Sequence, residues 1–140
     1  MSRYIYVLLT ATGNSSGISK TDINIFESVD EAGEKMLNII ENECRNNYFY
    51  KNIQDLKKEG YSASEILEKL DEVTEHVGFL CLGDISNFIN DIKKELEEKG
   101  LQVVKISDIY KFEDEYIKYV DKHSKNRCVF YCILYEVELT

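Results

Sequence analysis

Four cysteines and two histidines are the side chains in this sequence best suited to hold a metal or to act as a nucleophile with its base. The cysteines stand at 44, 81, 128 and 132 and the histidines at 76 and 123, with no C-x-x-C and no H-E-x-x-H. Cys128 and Cys132 fall in a segment that reads as a strand, which places them on one face but roughly 13 Å apart at ~3.3 Å per residue. Two ligands of one zinc ion lie much closer than that. The expectation is no metal site and no cofactor. Cys81 sits just before an expected helix start, where a thiolate is stabilised, with His76 upstream and Asp84 downstream. A nucleophile and its base are matched in space rather than along the chain. Phe79, Leu80 and Leu82 make this segment read first as core.

Anion chemistry has one candidate. The run TATGNSSG over 10–17 is rich in small residues that let backbone N–H groups face a ligand, but it lacks the GK[ST] end of a phosphate-binding loop. A small-ligand pocket, for a nucleotide for example, would draw on Thr12, Asn14, Ser15, Ser16, Cys81 and Asp84. The simpler reading of 10–17 is a hairpin loop. Carboxylates are plentiful, as in Glu41 and Glu43, the ELEE run over 95–98, and Glu113-Asp114-Glu115. At helical spacing such runs are solvated faces, and no pair stands out as an acid–base dyad. No residue is assigned a catalytic role.

Tyrosine is the more informative type. The chain has ten Tyr and no Trp. Tyr48, Phe49 and Tyr50 fall in an expected loop between helices. Tyr110, Tyr116 and Tyr119 crowd one expected late helix and cannot all point inward. Exposed Tyr offers a large contact area at low entropic cost, which enriches it in interfaces. Tyr48, Phe49, Tyr50, Tyr116 and Tyr119 are therefore the candidate partner-binding residues.

Charge narrows the partner. The formal net charge is −9, which repels phosphate backbones, so direct nucleic-acid binding is disfavoured. A protein with a basic surface is the complementary partner. Of 17 basic residues only Arg3, Arg45 and Arg127 are arginine, and Pro is absent. This skew suggests AT-rich coding, as in some bacteria and their phages. The apolar runs are far too short to span a bilayer, and the start does not read as an export signal. The expected setting is cytoplasmic, with free thiols.

The elements that must position these residues follow from pattern. One domain suits 140 residues. Residues 3–10 read as a strand with two apolar faces and 20–26 as its hairpin partner, with 11–19 a long loop between them. Ser28 to Glu31 and Ser62 to Glu65 are capping boxes. The first opens a helix carrying Ala32, Met36, Leu37, Ile40 and Cys44. The second opens one carrying Ile66, Leu67, Leu70, Val73 and Val77, to a stop at Gly78. A short helix is expected over 51–59, after a break at 46–50. Asp84 caps another, with Ile85, Phe88, Ile89, Ile92 and Leu96 inward and Gly100 as its stop. Residues 101–106 read as a strand and 109–122 as a helix with Ile109, Phe112, Tyr116 and Val120 on one side. Residues 127–138 form the strongest strand.

The fold class is α+β: an about four-stranded, mainly antiparallel sheet, from an N-terminal hairpin and two late strands, covered by about five helices. If 79–82 is a strand, 79–106 makes a β-α-β unit. Helices on one side only would leave Phe130 and Leu134 on an open face, and a homodimer would cover it. The expected function is a small non-catalytic binding protein that acts through a protein partner, as an inhibitor or regulator does. The alternative is a small-ligand binder or modest enzyme using loop 10–17 and residues 81–84.

Overall fold

A computed structural model describes residues 3–14, 16–74 and 82–140. Its first strands are β1 (Arg3–Asn14) and β2 (Gly17–Phe26), which pair as an antiparallel hairpin. The expected long loop over 11–19 is strand instead, turning only around residue 16. The reason is tertiary. β1 pairs on its other side with the last strand along its whole length, from Arg3 opposite Leu139 to Asn14 opposite Cys128. That ladder carries β1 through the small residues that looked like a loop. Gly13 is required there, because a Cβ would collide with the carbonyl oxygen of Gly17.

Helix α1 (Val29–Glu43) starts at the expected cap, where the Ser28 hydroxyl accepts the Glu31 N–H at 3.4 Å. Helix α2 (Asn47–Lys58) begins earlier than expected. Asn46 is its N-cap, with its side-chain oxygen taking the Tyr48 N–H at 2.9 Å. Tyr48, Phe49 and Tyr50 therefore form the first turn of a helix and not a loop. Helix α3 (Ala63–Thr74) has both halves of its capping box: Glu65 N–H to the Ser62 hydroxyl at 3.3 Å, and Ser62 N–H to the Glu65 carboxylate at 3.1 Å. These bonds hold the Glu65 carboxyl below its usual range. Val77 and Gly78 lie outside the described residues. Helix α4 (Leu82–Glu98) starts two residues before Asp84, which belongs to its first turn and is not its cap. Gly100, at positive φ, stops it as expected, with Leu101 N–H returning to Leu96 O at 3.0 Å.

Strand β3 (Val103–Tyr119) is the main correction, because it replaces the helix expected over 109–122. It pairs along its length with β4 (Lys125–Leu139). Two register irregularities, at Val103/Lys105 and Asp108/Tyr110, interrupt its alternation. Across them the apolar residues of β3 change face: Val103 and Ile106 pack on the α4 side, and Ile109 and Phe112 on the side of α1, α2 and α3. The turn between the strands is locked by Asp121, whose carboxylate accepts the N–H groups of His123 at 2.7 Å and Ser124 at 2.8 Å.

The sheet is antiparallel in the order β2-β1-β4-β3. The element order is ββααααββ, so there is one helix fewer than the sequence pattern implied. Residues 79–81 lie outside the description and Leu82 is helical, so the possible strand at 79–82 has no counterpart among the described residues.

Helices cover both faces. Leu8, Phe112, Phe130, Cys132 and Leu134 pack under α1, α2 and α3. Ile5, Val7, Leu9, Ile133, Tyr135 and Val137 pack with Phe88, Ile92 and Leu96 of α4. Phe130 and Leu134 are buried, which overturns the expectation that they line an open face. The motive for a dimer through that face goes with it. Full burial of such side chains is worth roughly 1.5–3 kcal/mol each. No described helix is long and apolar enough to cross a membrane.

Candidate interaction site

β3 is an edge strand, and its outer edge is treated differently along its length. In an antiparallel strand alternate residues turn their N–H and C=O to opposite sides. The Lys111 N–H points away from β4 and is taken by Asp71 of α3 at 2.6 Å. Val120 N–H points the other way, bonding Ser124 O across the turn at 3.0 Å. By this alternation Glu115, Ile117 and Tyr119 turn their backbone groups outward. The ladder does not use those groups, and the bond from Lys111 to Asp71 ties α3 to the edge upstream of them.

Beside this stretch runs a groove of about 500 Å³ lined by Asn46, Phe49, Glu113, Asp114, Glu115, Tyr116 and Ile117. Its far wall is the start of α2, which explains why the helix begins at Asn46: the cap places Phe49 against the sheet. Phe49 is buried and meets Phe112 edge-on at 5.1 Å, while Tyr48 stacks edge-on to Phe49 at 5.8 Å. A chain of rings thus runs from surface to core.

Asp114 is 2% exposed. Its Oδ2 accepts the Arg45 N–H at 2.9 Å, which fixes the α1–α2 connection to the sheet. Its Oδ1 is buried and has no hydrogen-bond donor. Cys44 lies close by and donates to Asn46 O at 3.3 Å. Burial, with the charge of the Asp114 carboxylate and the thiol's approach to it as further causes, pushes the Cys44 thiol up to about 11. The thiol is therefore protonated at neutral pH. Tyr116 is raised too, by burial and by Cys128 beside it, against the lowering effect of Arg45. Glu115 is ion-paired with Arg127.

The expected partner-binding residues divide. Phe49 and Tyr116 line this groove together although they are far apart in sequence, and Tyr48 lies against Phe49. Tyr116 and Tyr119 do not share a helical face; as strand positions three apart they point to opposite sides of the sheet. Tyr119 is 70% exposed and Tyr48 63%, with Ile117 and Val120 also exposed beside Tyr119. Tyr50 is exposed on the first turn of α2. Phe49 serves mainly as packing.

The described members of the small-ligand set do not gather at one place. Thr12 lines a groove of about 640 Å³ between the β1–β2 hairpin and α1, with Thr10, Lys20, Asp22, Lys35 and Glu43. Asp84 opens α4, which packs on the opposite face. Asn14 and Ser16 hold the hairpin turn, where the Asn14 side chain accepts the Ser16 N–H at 2.8 Å. Ser15, His76 and Cys81 lie outside the described residues. Cys128 and Cys132 share a strand, with Cys132 fully buried. Among the described residues no cluster of His, Cys, Asp and Glu could hold a metal ion.

Sequence reasoning missed Asp114 and Ile117 as site residues, having placed both on a helix. The polar run DKHSKN over 121–126, between two segments rich in Ile, Val, Tyr and Phe, is the hairpin signal that could have found them. Compared with family models, curated proteins and solved structures, the chain matches none.

Proposed function

We propose that this chain is a small acidic binding protein that acts, without catalysis, through a protein partner. The observation that carries the reading is the exposed aromatic and aliphatic surface at the end of β3: Ile117, which lines the groove with Phe49, stands in solvent, as do Tyr119 and Val120 just after it. Exposed aromatic side chains next to an unpaired strand edge are features of a surface that becomes covered. The net charge of −9 favours a partner with a basic surface. An inhibitor or regulator of bacterial or phage origin fits this description.

The test is site-specific photocrosslinking in a lysate of a low-GC bacterium. Probes at Tyr48 and at Tyr119 should capture the same protein, and a probe at Glu68 on the exposed side of α3 should not. Failure to capture any protein, together with a measured turnover activity, would sink the reading.

A second reading keeps one supporting observation, the groove that carries Thr12 together with Lys20 and Lys35, two cations suited to an anionic small ligand. A thermal-shift screen with nucleotides tests it, since a ligand at a hundred times its Kd adds about 2.7 kcal/mol of stability.

A further inference from the structure

We infer that the open stretch of the β3 edge, Glu115 to Tyr119, receives an added strand from the protein partner, and that this strand brings a Lys or Arg side chain to Asp114. The inference rests on the reading of the chain as a protein-binding module and says how that binding is made. Three observations support it independently. The first is the edge itself. Glu115, Ile117 and Tyr119 turn N–H and C=O groups outward, and such a row is a template for another strand. Upstream of it, Asp71 occupies the outward N–H of Lys111. The second is the groove along that stretch, bounded by Asn46 and Phe49, which gives alternate side chains of an incoming strand a place to lie.

The third observation specifies the chemistry. Asp114 lines the groove, is 98% removed from solvent, and has one carboxylate oxygen with no donor. An unsatisfied buried carboxylate oxygen is costly, and a cationic donor satisfies it best. Arg45 gives Asp114 only its backbone N–H, at the other oxygen. The sequence Glu113-Asp114-Glu115 makes the lining acidic. A second copy of the chain is a poor occupant for the same reason, because antiparallel self-pairing would set these carboxylates against their copies.

The experiment selects short randomised peptides on the immobilised full-length chain, then measures their binding to the parent and to two variants. Ile117→Pro removes an outward N–H that the ladder does not use, so the hairpin keeps its pairing. Asp114→Asn keeps an acceptor for the Arg45 N–H and removes the charge. Selected peptides should carry Lys or Arg at one position. Their binding should fall roughly tenfold or more in Asp114→Asn and be lost in Ile117→Pro. Amide hydrogen exchange of the parent, which does not depend on either variant folding, should slow at Glu115, Ile117 and Tyr119 when peptide is bound.

Peptides without a basic residue, or protection elsewhere than this edge, overturn the inference. So does a mass that rises with concentration in light scattering and returns to one chain in Ile117→Pro, because the strand would then come from a second copy. A crosslinked partner protein that binds both variants as tightly as the parent overturns strand addition while the binding-protein reading stands. If no protein binds at all, both fall.

Discussion

β3 and β4 are the two strands of one hairpin, paired residue for residue over most of their length, yet they have opposite environments. β4 lies between β1 and β3 and has helices on both faces, so nearly every residue from Phe130 to Leu139 is buried. β3 has a neighbour on one side only. Its middle packs against α3 and the start of α2, and its last residues, Ile117 to Tyr119, are exposed, as is Val120 after them. The two strands have similar compositions of Ile, Val, Tyr and Phe. What separates them is position in the sheet: a central strand spends its apolar side chains and backbone groups on stability, and an edge strand retains some of both for another molecule.

The contrast can be broken by substitution. Phe112→Ala on β3 and Leu134→Ala on β4 should both be severe, at about 3–5 and 2–5 kcal/mol respectively, because each empties a fully packed site. Urea denaturation reads both. A similar cost at the two positions would show that β3 differs from β4 through its edge and not through its packed face. A small loss at Phe112 would mean that the α2–β3 seam is loose.

Asp114→Asn should raise stability by about 1 kcal/mol in the isolated chain, since a neutral amide costs less to bury than a carboxylate lacking a donor. Denaturation of the variant beside the parent measures it. A clear loss of stability would show that the charge is already satisfied and would blunt the contrast between the strands.

The thiols sharpen it by pH. Cys44, beside Asp114, has its folded-state pKa raised from 9.0 to about 11. The folded state therefore holds this proton more tightly than the unfolded chain does. The associated stability is fully present below pH 9.0 and is lost as pH rises towards about 11. Cys132, buried on β4, is raised by burial in the same direction. Urea midpoints across this range should fall, and Cys44→Ala should remove part of the fall and leave the part due to Cys132. An unchanged slope in Cys44→Ala would mean that the β3 side contributes nothing to it.

The smallest effect belongs to the exposed edge. Ile117→Pro should change stability by no more than about 0.5 kcal/mol, as expected of a surface position whose N–H is unused. A loss as large as that at Leu134 would show that this stretch is structural and not free for a partner.

How far the sequence could be read varied by element for physical reasons. Two of the helix starts were legible because a capping box is a local device: Ser28 and Ser62 act on N–H groups within one turn. The buried stripes Met36, Leu37, Ile40 and Ile66, Leu67, Leu70 were legible from spacing. The start of α2 was not, because Asn46 caps a turn whose aromatic residues make sense only with Phe112 opposite Phe49. β3 was not, because two irregularities break its alternation and move its apolar residues from one face of the sheet to the other. The tyrosines were rightly marked as too many for a core, but the groove that Phe49 and Tyr116 share depends on the hairpin bending back to α2.

By itself the sequence determined what depends on residues close along the chain: the capping boxes at Ser28 and Ser62, the stop at Gly100, the first and last strands, the α+β class and the acidic charge. The tertiary structure alone decided what depends on distant partners. Those partners set the continuation of β1 through Gly13, the conversion of 109–119 to strand, the covering of Phe130 and Leu134, and the burial of Asp114 with one oxygen unsatisfied. The reason is that backbone hydrogen bonds in a helix close within four residues, whereas those of a sheet are made with whichever strand the fold sets alongside.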